Sequence, residues 1–258
     1  MDQIPNVVAC DVGNARIKLG RVHGEDVQDV AQLQVGRLGE LGEALRSAWE
    51  AAPQPRKLVA ASVNPAALKA LEAAADAALR THVLVVGRDL PRPIDTDLPH
   101  PEQIGTDRLC CASAAFDRLG TACVVVDCGS AVTVDCVSGE GVFLGGAILP
   151  GTALQAESLA AGTAQLPNVT PAEPAGPFGK DTAEAIGAGV VRGLRAAVHG
   201  LVESYATELG AWPVVIATGG DARLLLAGAV AEGRVQAIVP DLALRGAAMA
   251  YYRSLLKE

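Results

Sequence analysis

Two short stretches of the 258-residue chain build the same acidic corner. In VVACDVGNARIKLG (residues 7–20) an apolar run ends at Asp11, turns at Gly13 and Asn14, and resumes as a second strand-like run. In CVVVDCGSAVTVD (residues 123–135) the same order gives Asp127, Gly129 and Ser130, with Thr133 beyond the turn. An aspartate at a strand end, beside successive turn amides, suits a cation and an anion held together. At the first corner this chemistry puts a phosphate against the amides, Lys18 reaching back to it, and Mg²⁺ on Asp11 through water. Asp-x-Gly-Asn serves an ordinary hairpin equally well, so one corner alone decides nothing. Two corners, each between the first two strands of a like-ordered half, point to a nucleotide with its cation held across a cleft. A third stretch, VVIATGGDA, ends a buried run at Gly219-Gly220, where bare backbone admits a flat ring or forms a plain turn.

The elements that must carry these corners are read from apolar period and breakers. Strands are expected near 6–11, 15–22 and 28–35. They are followed by a helix over LGELGEALRSAWEAA, strand KLVAASV, helix PAALKALEAAADAALR and strand HVLVVG. RDLPRPIDTDLPHPEQIG, with four prolines, then breaks the pattern as a connector. Beyond it come helix TDRLCCASAAFDRLG and strands CVVVD, AVTVDCV and VFLGGAI. Helix TALQAESLAA, a proline-rich loop and a long helix over 182–209 come next. Strand PVVIATGG, helix ARLLLAGAVAEG, a short VQAIV strand and a helix from Asp241 close the chain. Strands mixed with helices in this way give an α/β fold, and its two halves start alike. The boundary is expected at the connector, as 1–105 and 106–258.

The stretches DVGNARIK, PEQIGTDRL, VVVDCGSAVTVD, GGAILPG, GKDTAEAIGAG and VIATGGDA occur in this order over almost the whole chain. Together they resemble the acetate-kinase/sugar-kinase/Hsp70/actin superfamily and, within it, type III pantothenate kinase. The Gly-x-Asp-Arg box followed by Asp-x-Gly-[Ser/Thr]-Ala-x-Thr-x-Asp is specific to that narrower family. The resemblance implies two actin-like (ribonuclease H-like) halves and ATP-dependent phosphorylation of pantothenate to 4′-phosphopantothenate, the first step of coenzyme A synthesis. It implies ATP along Asp11, Val12, Gly13, Asn14, Ala15, Arg16, Ile17 and Lys18 and at Ser130, and a monovalent cation (K⁺ or NH₄⁺) at Asp127. Pantothenate falls to Gly105, Thr106, Asp107 and Arg108, with Asp107 as proton acceptor. Thr182 is implied as a further substrate contact, supplied by the partner subunit of a homodimer.

These residues also have plainer uses. Asp107 suits the charge of a helix's first turn, and Arg108 there is ordinarily solvated. Asp181 and Glu184 form a capping pair, placing Thr182 in a first turn whose open amides favour an anion such as a carboxylate. The chain departs from the family at Ala15, where a hydroxyl residue is common, at Ser130, where threonine is usual, and in lacking a tyrosine before the GTDR box. The alternatives are a kinase of another small alcohol, or a non-catalytic accessory homologue that binds nucleotide. Retention of Asp11, Asp107, Asp127 and Thr182 argues against the latter.

Composition excludes other classes. A net charge of −8 with no basic cluster argues against nucleic acid as partner. Residues 1–12 lack a secretory pattern and no unbroken apolar stretch reaches a bilayer's span, so a cytoplasmic protein without membrane contact is expected. Six cysteines without a Cys-x-x-Cys pair read as buried, reduced thiols. GPFGKDT lacks the first glycine and the hydroxyl residue of a Walker loop, GAGVVRG misplaces the last glycine of a dinucleotide fingerprint, and no Gly-x-Ser-x-Gly elbow is present.

Overall fold

The computed structural model describes residues 5–24 and 26–256; part of the N-terminal stretch that lacks a secretory pattern lies outside them. The chain forms two compact units, Met1–Arg118 with Asp241–Glu258, and Leu119–Pro240. The first holds β1 (Asn6–Val12), β2 (Arg16–His23), β3 (Asp26–Gln34), α1 (Leu41–Ala51), β4 (Arg56–Ser62), α2 (Pro65–Leu79), β5 (Leu84–Val85) and β6 (Asp95–Thr96). Next comes α3 (Thr106–Leu119). The second unit holds β7 (Cys123–Cys128), β8 (Ala131–Val137), β9 (Val142–Pro150), α4 (Thr152–Gly162), α5 (Thr182–Leu209), β10 (Val214–Thr218), α6 (Ala222–Ala231) and β11 (Ala237–Ile238). Helix α7 (Leu242–Leu255) then returns to the first unit.

The two units share one topology. Strands of the first run in the order β3-β2-β1-β4-β5, and those of the second in the equivalent order β9-β8-β7-β10-β11. In each, the first strand pairs antiparallel with the second and parallel with the fourth. The fold is therefore α/β with two actin-like halves, each opening on a three-strand meander. Central strands β1 and β4 are covered on both faces, which is why Val7–Cys10 and Leu58–Ala61 read as unbroken apolar runs. Alternate side chains serve opposite faces. Val8, Cys10 and Val12 meet α1 and α2, while Val7 and Ala9 meet Cys110 of α3 and Leu244 and Ala247 of α7.

A chain so poor in aromatics fills its core by bringing backbones close. A Cβ at Gly246 of α7 would sit 2.0 Å from the Cys110 carbonyl oxygen, so α3 and α7 touch at main-chain distance. This packing explains why the units divide elsewhere than at 105/106. Both α3 and α7, which that boundary assigns to the second half, pack on the first sheet. Local signals hold elsewhere: Asn64 caps α2 by accepting from the Ala67 amide at 3.0 Å, with Pro65 in the first turn. The HVLVVG strand is shorter than its sequence suggests. Asp89 accepts from the Val85 amide at 2.9 Å and turns the chain there, its carboxyl held below the usual range mainly by the Arg88 guanidinium.

Helix α5 is long and apolar enough, by length and composition, to cross a membrane. Its stripe Ile186, Val190, Leu194, Val198 and Val202 is instead buried with Val124, Val132 and Val215 in the second unit's core. Arg192 and Arg195 interrupt its sequence midway. All six cysteines are buried and none is in a disulfide. Burial pushes the Cys10, Cys123 and Cys128 thiols up to about 12, so they stay protonated and inert at neutral pH.

Candidate active site

In the first unit the corner lies at the end of the β1–β2 pair, where the Gly13 amide donates to the Arg16 carbonyl at 3.0 Å. Asp11 and Lys18 are cross-strand partners, so both side chains leave the same sheet face, the one covered by α3 and α7. Lys18 Nζ lies 3.2 Å from Asp241 Oδ1 at the start of α7. Asn14, Ala15 and Arg16 are exposed at the tip, whereas the Val12 and Ile17 side chains are wholly buried in the core. Only the main chain of those last two can meet a ligand.

The Gly-Thr-Asp-Arg box opens α3. Thr106 Oγ1 accepts from the Ser62 amide and donates to the Ser62 carbonyl, both at 2.9 Å, so its hydroxyl ties the helix start to the end of β4. Gly105 clears room for its neighbour, since a Cβ there would lie 2.5 Å from Asp107 Oδ1. That oxygen accepts from the Arg108 amide at 2.8 Å. Burial raises the Asp107 carboxyl above its ordinary value, against the opposing pull of the Arg108 amide and charge. The buried Cys110 thiol is raised by burial and then by the charges of Asp11 and Asp107 together. Asp11 leaves the sheet face that α3 covers, and α3 carries Asp107 in its first turn.

The second unit repeats the corner with a glycine collar. The Gly129 amide donates to the Ala131 carbonyl at 3.0 Å, and Ser130 is exposed beyond it. Gly219 has φ +94°, and a Cβ on it would lie 2.5 Å from Asp127 Oδ1 and from the Cys128 carbonyl. A Cβ at Gly151 would lie 2.4 Å from the Gly129 oxygen. Asp221 closes the group: its amide donates to the Cys128 carbonyl at 3.0 Å and its Oδ2 accepts from Thr152 Oγ1 at 2.5 Å. Thr133 donates to the buried Asp135 at 2.9 Å. Farther along this unit, Asp181 caps α5 by accepting from the Glu184 amide at 2.8 Å, which leaves Thr182 exposed in the first turn. Among the described residues no three His, Cys, Asp or Glu side chains converge to hold a metal by themselves.

Asp11, Lys18 and Gly105–Arg108 thus belong to the first unit, and Asp127, Ser130 and Thr182 to the second. Sequence reasoning missed two acids. Asp221 stands directly after the Gly219-Gly220 pair, inside the stretch VVIATGGDA that drew notice for its glycines. Asp241 lies 223 residues from its lysine, and nothing local signals the pairing.

A family profile described as type III pantothenate kinase matches residues 7–204. The chain belongs to the type III pantothenate kinase family. A type III pantothenate kinase of Dehalococcoides mccartyi is 33% identical over 254 residues, covering 95% of this chain and 96% of its own. One from Anaeromyxobacter dehalogenans is 34% identical over 85% of this chain and 89% of its own. One from Akkermansia muciniphila reaches 42% identity over 153 residues, 62% of that protein's length. Among solved structures, component A of the Acidaminococcus fermentans (R)-2-hydroxyglutaryl-CoA dehydratase superposes with TM-score 0.57 at 16% identity, covering 98% of this chain and 99% of that one. A Campylobacter jejuni protein described as a Baf family transcriptional activator gives TM-score 0.61 at 22% identity, covering 96% and 99%. At such identities the structures share the fold alone.

Proposed function

We propose that the chain transfers the γ-phosphoryl group of ATP to the primary alcohol of pantothenate, giving 4′-phosphopantothenate. The observation that carries this reading is Asp107: a carboxylate raised by burial at the start of α3, inside the family's substrate box. Asp107 accepts the hydroxyl proton as the oxygen attacks phosphorus, and Arg108 beside it offers a planar fork to the substrate's polar groups. Thr106 fixes the helix that carries both, and its substrate contact is then made by the main chain.

In this reading the first unit's corner offers the tip amides of Asn14 and Ala15 and Lys18 to a nucleotide's phosphates, and the second unit's corner offers the Ser130 hydroxyl. The oxygen-only donor set fits the expected ions: Asp11 is a half-buried strand-end carboxylate suited to Mg²⁺ through water, and Asp127, whose Oδ1 a Cβ at Gly219 would crowd, is the carboxylate assigned to a monovalent cation. Bound Mg²⁺ supplies charge neutralisation at the transferring phosphoryl group, and the protein's task is then positioning.

The second unit supports a homodimer with Thr182 reaching the partner's substrate. Leu144 and Ile148 on β9 and Leu154 and Leu159 on α4 are all exposed, Ile148 by 63%, and α4 packs beside α5, which Thr182 begins. Ile148→Asp is expected to convert a two-chain species to one chain in sedimentation equilibrium; an unchanged mass removes this face from the interface. Six buried cysteines, none in a disulfide, accord with a reducing, cytoplasmic setting. A coupled ADP-release assay over a panel of small primary alcohols tests the substrate. Pantothenate is expected to be turned over with the highest kcat/KM, and preference for another alcohol rejects it.

A further inference from the structure

Asp241 breaks two habits of its position. It is the N-cap of α7, yet its backbone is left-handed (φ 56°, ψ 32°), where an N-cap is ordinarily extended, and its side chain makes no capping hydrogen bond. A non-glycine residue held left-handed carries strain, which surrounding structure must offset. The carboxylate that forgoes capping is turned instead onto Lys18 Nζ at 3.2 Å, and both side chains are largely covered. Helix α7 beyond Asp241 is firmly seated: Leu244, Ala247 and Ala248 are fully buried, and Gly246 meets the Cys110 main chain. The carboxylate is thereby anchored to a fixed helix, while Lys18 is a flexible stem on the corner hairpin.

We infer that Asp241 is a positioning residue for the nucleotide, pinning the Lys18 ammonium at the corner so that its remaining donors face the phosphates. An ammonium has three donors, and one spent on Asp241 leaves two. Without Asp241, Lys18 still shares a sheet face with Asp11, its cross-strand partner. Collapse onto it would draw the lysine from the phosphates and compete for the carboxylate assigned to Mg²⁺. The inference rests on the nucleotide assignment of the corner and does not need pantothenate to be the alcohol.

The test uses Asp241→Asn, which keeps volume and tolerates a left-handed backbone, with Asp241→Gly as a second variant that takes that backbone without strain. Each is compared with Lys18→Met and with the double variant in the full chain. MgATP affinity is read by equilibrium dialysis and KM and kcat by ADP release. Both Asp241 variants are expected to weaken MgATP binding and raise its KM about three- to tenfold, the scale of a partly exposed ion pair, with pantothenate KM unchanged. In the Lys18→Met background the same changes are expected to add nothing. Wild-type MgATP affinity in the Asp241 variants, or equal weakening with and without Lys18, overturns the inference. A protein that binds MgATP but leaves pantothenate unphosphorylated fails the proposed function and leaves this dialysis comparison intact.

Discussion

Asp107→Asn is expected to lower kcat about 10²–10⁴-fold, the usual contribution of a positioned general base, while MgATP binds nearly as before. The substitution is close to neutral for shape: an asparagine Oδ1 can still accept from the Arg108 amide, and Gly105 leaves room for either side chain. Only the proton acceptor is lost. Because burial raises the Asp107 carboxyl, the acid limb of the wild-type rate profile should lie above an ordinary carboxylate's value.

The same shift has a stability consequence of definite sign. As pH rises past the ordinary value, the unfolded chain ionises first at this residue. Stability therefore falls until the raised folded value is passed, and stays lower above it. The asparagine variant is spared that loss, so its Tm at neutral pH should equal or exceed the wild type's, with no such advantage at strongly acidic pH. Thermal melts at two pH values alongside kcat measure both effects. Turnover equal to wild type would remove Asp107 from the proton transfer.

The second large effect is expected at Gly219. Alanine there must adopt φ near +94° and push its Cβ to 2.5 Å from both Asp127 Oδ1 and the Cys128 carbonyl. Main chain cannot yield as a side-chain tip can, so the β7 corner must shift. Strain and displacement together should cost on the order of 2–4 kcal/mol of stability. Function should suffer more than folding. The displaced atoms are the carboxylate assigned to the cation and the turn that presents Ser130, so MgATP binding should be lost at temperatures where the protein remains folded. A calorimetric melt and a nucleotide titration on Gly219→Ala check the two parts. Retained affinity with a lowered Tm would mean that the collar is structural only.

Legibility in the sequence tracks the range of the interaction. The corners, the duplicated strand order and the cap at Asp181 are set by neighbours a few residues apart, and pattern reading finds them. The course of α3 is not visible in the same way. Its contact with α7 depends on Cys110 and Gly246 meeting at main-chain distance across more than half the chain. The proline-rich connector before α3 therefore looks like the boundary. Val12 and Ile17 show a similar limit. A family motif names them with the nucleotide loop, but strand alternation sends their side chains into the core. Asp221 and Asp241 are hidden for opposite reasons: one stands inconspicuous after a glycine pair, the other owes its importance to a lysine at the far end of the chain. The division of labour at Thr106 also needs coordinates, because only they show its hydroxyl engaged at both ends by Ser62.

The central claim is phosphoryl transfer to pantothenate with Asp107 as base, and one measurement addresses it directly. Purified protein is incubated with pantothenate, ATP, Mg²⁺ and K⁺, and the products are monitored by phosphorus NMR beside the Asp107→Asn variant. The account predicts a new phosphomonoester on the primary alcohol of pantothenate, formed one-for-one with ADP and nearly absent with the variant. ATP left intact, or consumed without that phosphomonoester by folded wild-type protein, would contradict it.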